Sequence, residues 1–354
     1  MPSVRGMSRR SLTLLIASIG TAAAIGVTVL MPVPYVILGP GPTLNTLGKD
    51  SSGQQLISIQ GHPTHPTNGN LNMVTVSYAG GPGSNINIFS ALEAWLNPDE
   101  AVVPEQELFP SGQTQQQVQQ QDTAQMASSQ QIATAAALTQ LHIPYQTQVT
   151  IAQTAKGTPA AGALKSGDIV NAVDGQAVTS DSSLTTLIRS HPVGSTLNLT
   201  VVRGGNTIQV PVRTVASGAG SGAHPVIGVL VTDQYKFPFN VKISIGDIGG
   251  PSAGLMFALG IIDKLTADNL TGGKFIAGTG QIEPSGTVDA IGGIQQKMVG
   301  ARNAGATVFL APAANCGDTK GAVPAGLQVV KVSTLNQAVQ DLEAIKAGKP
   351  VPSC

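Results

Sequence analysis

Between Ser11 and Met31 the chain carries no charge, and Arg5, Arg9 and Arg10 stand just before it. An uncharged, mostly apolar run of that length forms a helix able to cross the hydrocarbon core of a bilayer. No small-x-small cleavage site follows before Pro32-Val33-Pro34, so an uncleaved anchor is predicted rather than a signal peptide. Beyond Pro32, Pro34 and Gly39-Pro40-Gly41-Pro42, read as an extended, turn-rich exit, Gln55–Gln60 and Leu71–Tyr78 have strand patterns, and Ile86–Leu96 reads as a short helix stopped by Asn97-Pro98. The Gln-rich stretch 111–131 passes into weak helical periodicity from Asp122 to Leu141, which predicts an exposed helix. Asn240–Ile245 alternates polar residues with β-branched apolar ones, as a half-buried strand does. Leu255–Ile262 is apolar apart from Gly260 and closes on Asp263-Lys264, which predicts a buried helix starting near Pro251 or Ser252. Two short strands are predicted over 274–282 and 286–293, then a helix from Ile294 to Ala304 ended by Gly305.

Composition narrows the class. A chain of 354 residues with 42% hydrophobic content can bury a large core and should form two or more domains. Lys+Arg and Asp+Glu balance at 19 each, which gives nothing for a nucleic-acid partner. The two cysteines, Cys316 and Cys354, lack the spaced Cys or His neighbours of a zinc site. A disulfide between them would tie the tail to the preceding domain in an oxidising compartment, and two unpaired thiols are the other reading. No cofactor or metal is called for.

The candidate chemistry centres on Gly249-Gly250-Pro251-Ser252-Ala253-Gly254. A serine at the start of a buried helix sits among free backbone N–H groups and the positive end of the helix dipole, which favour an oxyanion. The same serine is also an ordinary helix cap. On a helical wheel Ile294, Met298, Ala301 and Ala304 share one side with Lys297. A lysine there must pair, snorkel, or have its pKa lowered by desolvation so that a neutral amine serves as base. None of the five histidines offers a better partner: His62, His65, His142, His191 and His224 lie in loop-like, proline-rich surroundings. A Ser-Lys dyad of Ser252 and Lys297 is therefore preferred over a Ser-His-Asp site.

Two resemblances add to this reading. Pro159-Ala160-Ala161-x-x-Leu164-x-x-Gly167-Asp168, the strand ending Val173-Asp174-Gly175, a helix from about Asp181 to Ser190, and the hairpin Thr196–Val202 and Thr207–Val212 resemble a PDZ domain over residues 125–215. PDZ domains add a peptide as a strand to a sheet edge, although no clear Gly-Leu-Gly-Phe-type carboxylate loop is present. Ser217–Ala223 follows as a small-residue linker. Gly250-Pro251-Ser252-Ala253-Gly254, Gly278-Thr279-Gly280, and Ile291-Gly292-Gly293-x-x-x-Lys297 leading to Arg302-x-Ala304-Gly305 together resemble the proteolytic domain of Lon proteases. The whole chain is similar to the bacterial membrane-anchored PDZ and Lon-like proteins of the YlbL family. The resemblance implies Ser252 as nucleophile, Lys297 as general base, Thr279 bonded to the lysine amine, and an oxyanion hole from the Ser252 N–H with groups near Gly249 and Gly250. Ile248-Gly249 replaces the usual Lys-Asp before Gly-Pro-Ser, and Gln281 replaces the acidic residue after Thr-Gly.

The expected fold is α+β: a basic cytoplasmic N-terminus (1–10), a transmembrane anchor (11–31), a β-rich region (32–124), a PDZ domain (125–215), a linker (216–224) and a Lon-like proteolytic domain (225–354). If the strand Leu71–Tyr78 belongs to the protease sheet, the PDZ domain is inserted within the protease fold. The positive-inside rule places everything after about residue 32 outside the cytoplasm. The expected activity is that of a membrane-anchored serine endopeptidase acting on extracytoplasmic protein or peptide substrates. ATP independence follows from the lack of a Gly-x-x-x-x-Gly-Lys-[Ser/Thr] loop in the sequence. The competing expectation is a PDZ-based scaffold with a weakly active or inactive Lon-like domain. Homo-oligomerisation, as a hexamer, is an expectation by analogy with Lon-type rings.

Overall fold

The sheet that carries the site is assembled from two distant parts of the chain. In the computed structural model, which describes residues 8–50, 52–218, 222–246 and 248–354, six strands lie in the order Gln328–Val332, Val308–Pro312, Phe275–Gly278, Asn70–Ala79, Tyr35–Asn45 and Ala101–Pro104. The first four run parallel, and the last two are added antiparallel. Parallel strands buried on both faces read as continuous apolar runs, and Val308–Pro312 is buried at every position. Residues 70–79 thus share a sheet with the Lys297 half of the protease resemblance.

The stretch expected as a turn-rich exit is instead the strand Tyr35–Asn45. It tolerates Pro40 and Pro42 because its register against Asn70–Ala79 shifts between Pro40 and Thr43. A bulge is where a strand can hold residues that donate no ladder N–H.

The helix Gly254–Leu265 is buried along its whole length, each large apolar side chain contributing roughly 1.5–3 kcal/mol. Against it packs Gln115–Gln140, opened by a capping box between Thr114 and Gln117. That helix starts earlier than its periodicity suggests, and it is exposed over much of its first half but buried toward its end. Ala133–Leu138 are buried, because a small-residue surface lets two backbones approach closely where a polarity count sees only weak amphipathicity.

The chain divides into two compact units, one of residues 1–142 with 240–354, the other Ile143–Phe239. This division assigns 125–142 and 216–239 differently from the boundaries expected at 125, 215 and 225. Residues 125–142 finish the helix that packs on the protease unit. Val229–Lys236 pairs with Gln146–Thr154 in the second unit's sheet rather than opening the protease domain. The expected linker is part of a strand pair, Val215–Ser217 with His224–Val226, and its residues 219–221 lie outside the described ones.

The second unit has its own core around Ile151, Leu184, Leu197, Leu199, Val201 and Ile227. Asp168 of the Gly-Asp turn is an anchor of this fold: Arg203 donates to it from Nη2 at 2.6 Å. The guanidinium holds the Asp168 carboxyl below the usual carboxylate range.

At the N-terminus a helix runs from Arg9 to Leu30. Among the described residues no helix is long and apolar enough to cross a membrane. The predicted anchor includes residues 24, 25 and 27–30, whose side chains lie outside the description.

Candidate active site

Ser252 does not begin its helix. The helix starts at Gly254 with Ala253 in the capping position, so Ser252 stands in the tight turn just before it. That turn is pinned from three sides. Gly280 N–H donates to the Ser252 carbonyl at 2.8 Å, as does the Thr279 hydroxyl at 3.0 Å. Ser129 Oγ donates to the Pro251 carbonyl at 3.0 Å. Gly250 N–H donates to the Asp122 carbonyl at 3.2 Å. The Gly250 amide, close to the expected oxyanion hole, is thus engaged with Asp122. Among the described residues the Ser252 amide meets no acceptor. Gly249 is required by close approach: a Cβ there would come within 2.4 Å of Asp122 Cβ.

Lys297 arrives from the opposite wall. Its helix, Ile294–Asn303, is entered through Gly293 in the left-handed conformation, φ +67, where a Cβ would also meet Val76 Cγ2 at 2.7 Å. Only glycine lets the helix start so close to the strand Asn70–Ala79. Ile294, Met298 and Ala301 then point into the core, and Lys297, on the same side, is 3% exposed. It neither snorkels nor finds a carboxylate among the described residues. Its Nζ donates to Ser252 Oγ at 3.0 Å and to Thr279 Oγ1 at 3.3 Å. Burial lowers the amine to about 8 from its ordinary value of 10.5. At that value a useful fraction is neutral near physiological pH, which an exposed lysine would not be.

The two walls enclose an open cleft of about 1070 Å³ whose lining includes Ser252 and Lys297. No histidine lines it. One wall is a stripe of the helix Gln115–Gln140, with Gln115, Gln119, Asp122, Met126 and Gln130 spaced at helical period. Burial pushes the Asp122 carboxyl above its usual range. Sequence reasoning missed this wall. Its signal was the i, i+4, i+7 recurrence itself, hidden because all but Met126 of the recurring residues are polar.

Sequence comparisons identify two domains in the chain. The model of the Lon protease (S16) C-terminal proteolytic domain matches residues 240–344, and that of the PDZ domain matches residues 115–214. The chain carries a PDZ domain and a Lon-type proteolytic domain. The PDZ match begins within the helix Gln115–Gln140, which the fold assigns to the Lon-type unit. Lon protease 1 of Sorangium cellulosum (strain So ce56) is 38% identical over 93 residues, covering 25% of this chain and 11% of that protein. Lon protease 1 of Bacillus subtilis (strain 168) is 29% identical over 119 residues, 32% of this chain and 15% of its own length. The Serine protease Do-like HtrA of Lactobacillus helveticus is 40% identical over 57 residues, 16% of this chain and 14% of that protein. The chain thus spans only a small part of the length of these relatives.

Proposed function

We propose that this chain is an ATP-independent serine endopeptidase in which Ser252 is the nucleophile and Lys297 the general base. The observation that carries the reading is the 3.0 Å separation of Lys297 Nζ and Ser252 Oγ in the lining of a cleft, with the amine buried and lowered to about 8. Ser252 Oγ attacks the scissile carbonyl while its proton passes to the neutral Lys297 amine. The carbonyl oxygen becomes an oxyanion stabilised by the Ser252 backbone N–H. The tetrahedral intermediate collapses, the C–N bond breaks, and the leaving amine takes the proton from Lys297. Water then attacks the acyl-serine with Lys297 again as base, releasing a carboxylic acid and restoring the serine. Thr279 holds the lysine amine in line through the 3.3 Å bond, while its own hydroxyl is fixed by the Ser252 carbonyl.

Substrates are unfolded or extended protein segments, which suit an open cleft of about 1070 Å³. The PDZ unit captures or positions them by strand addition. The helix Arg9–Leu30 is a single-pass anchor with the N-terminus cytoplasmic and the catalytic unit outside. In support, it leaves Leu12, Leu14, Leu15, Ile16 and Ile19 exposed, its basic residues lie at the N-terminal end, and Cys316 and Cys354 form a disulfide, as an extracytoplasmic compartment allows.

The test is cleavage of casein without nucleotide by the full chain, by Ser252→Ala and by Lys297→Met. Each substitution should lower the rate by about 10³-fold or more. Activity surviving either substitution sinks the dyad, and no turnover by the unsubstituted chain on casein or a peptide library favours a scaffold.

A further inference from the structure

The helix Ile88–Leu96 presents its largest side chains to solvent. Phe89 is 62% exposed, Leu92 52%, Trp95 73% and Leu96 76%. At 100° per residue these four and Ile88 fall within about a third of the helix circumference, while Ala94 on the other side is 2% exposed. Asn87 caps the helix by accepting the Ser90 N–H at 2.8 Å, so this apolar face is built and not frayed. Beneath it Val33, Tyr35 and Val102 join Ile88, Leu92 and Trp95 around an apolar groove of about 220 Å³.

What covers this face follows from its place in the chain. The helix Arg9–Leu30 ends one residue before the two-residue strand Pro32–Val33. That strand pairs with Ile86–Asn87, with Pro32 opposite Asn87 and Val33 opposite Ile86. The Phe89–Leu96 face is therefore laid beside the end of the proposed anchor, at the depth where the anchor leaves the bilayer. Aromatic and apolar side chains at that level belong to the membrane interface. Residues 88–110 contain no Lys or Arg, and Glu93, Asp99, Glu100, Glu105 and Glu107 are acidic, so insertion would be apolar and would need no anionic lipid.

We infer that Ile88–Leu96 is an interfacial helix whose Phe89, Leu92, Trp95 and Leu96 face sits in the acyl and headgroup boundary of the same leaflet that the anchor exits. The inference rests on the anchor reading above. It has a consequence for substrate class. Leu38 and Tyr78 are paired across the sheet and both line the active-site cleft. Leu38 lies three residues from Tyr35, about 10 Å along an extended strand. One end of the cleft thus opens close to the lipid surface, which suits extended segments emerging from the bilayer.

Trp95 is the sole tryptophan, so its fluorescence reports on this face alone. The full chain is reconstituted in phosphatidylcholine vesicles, recovered by flotation, and exposed to aqueous iodide or to phosphatidylcholine brominated near the headgroup. The expected result is flotation, strong quenching by the brominated lipid, and iodide quenching about threefold or more below that of free tryptophan, as for an interface-buried ring. Phe89→Ser with Leu96→Ser, which keeps Trp95, should restore iodide access. Flotation with full iodide quenching and none from the lipid overturns the inference and leaves the anchor standing. Protection from both quenchers overturns it in favour of a second copy of the chain covering the face. Failure to float removes the anchor and the inference together.

Discussion

At the scale of single residues, the protein accepts an energetic penalty to hold Lys297. The lysine pKa is 10.5 without perturbation and about 8 in the folded chain, lowered by burial. Between those values the unfolded chain binds more protons, so stability rises with pH from about 8 to about 10.5. Below that window the folded protein carries a constant cost on the order of 3 kcal/mol. Lys297→Met should therefore stabilise the protein by about 2–3 kcal/mol at neutral pH, with an advantage that shrinks toward pH ~10.5. Denaturant unfolding at several pH values checks this, and a destabilised or pH-independent variant would contradict it. Lys297 was legible in the sequence because a lone charge on an apolar helix face is anomalous, and Ser252 because of its glycine-rich setting. Asp122, Ser129 and the Gly250–Asp122 bond were not. Their role depends on a helix more than a hundred residues away in sequence, and a polar residue on a polar stripe raises no anomaly.

At the scale of elements, runs with a clear period were recovered well. Leu71–Tyr78 appears as Asn70–Ala79, and Ile294–Ala304 as Ile294–Asn303 with Gly305 just beyond at φ +101. Elements that break local rules were lost. Tyr35–Asn45 is a strand despite two prolines, since a bulge and pairing on both edges override propensity. The C-terminal tail depends on tertiary context in the same way. Lys331 N–H donates to the Pro352 carbonyl at 3.0 Å, and Val330 bridges to Ser353, which places Cys354 beside Cys316. The disulfide closes a loop of sequence separation 38, and such a loop restricts the unfolded chain by about 3–4 kcal/mol. Cys354→Ser should lower stability by up to that amount, read by denaturant melting without reductant. A midpoint equal to that of the unsubstituted chain would show that the bridge adds nothing.

At the scale of the molecule, the sequence revealed two families of motif but not where one unit yields to the other. The Gly- and Ser-rich stretch at 217–223 looked like a boundary because its composition suits a linker. The sheet, however, draws Val229–Lys236 back onto Gln146–Thr154, and Ile227 into the PDZ core at 1% exposure. A fragment of residues 143–239 should therefore melt cooperatively. A fragment of 125–215 lacks that strand and Ile227, whose burial alone is worth roughly 1.5–3 kcal/mol, and should melt at a lower temperature or show no transition. Equal stability of the two fragments would refute the division.

In the proposed mechanism Ser252 is acylated with Lys297 as its base. The direct measurement is the single-turnover acylation of the full chain by an activated peptide ester, followed by intact mass and peptide mapping across pH. The expected result is one acyl group on Ser252, a rate that rises to a plateau above pH about 8 as the buried amine loses its proton, and no adduct in Lys297→Met. An adduct on another residue, a rate flat through that range, or acylation undiminished in Lys297→Met would contradict it.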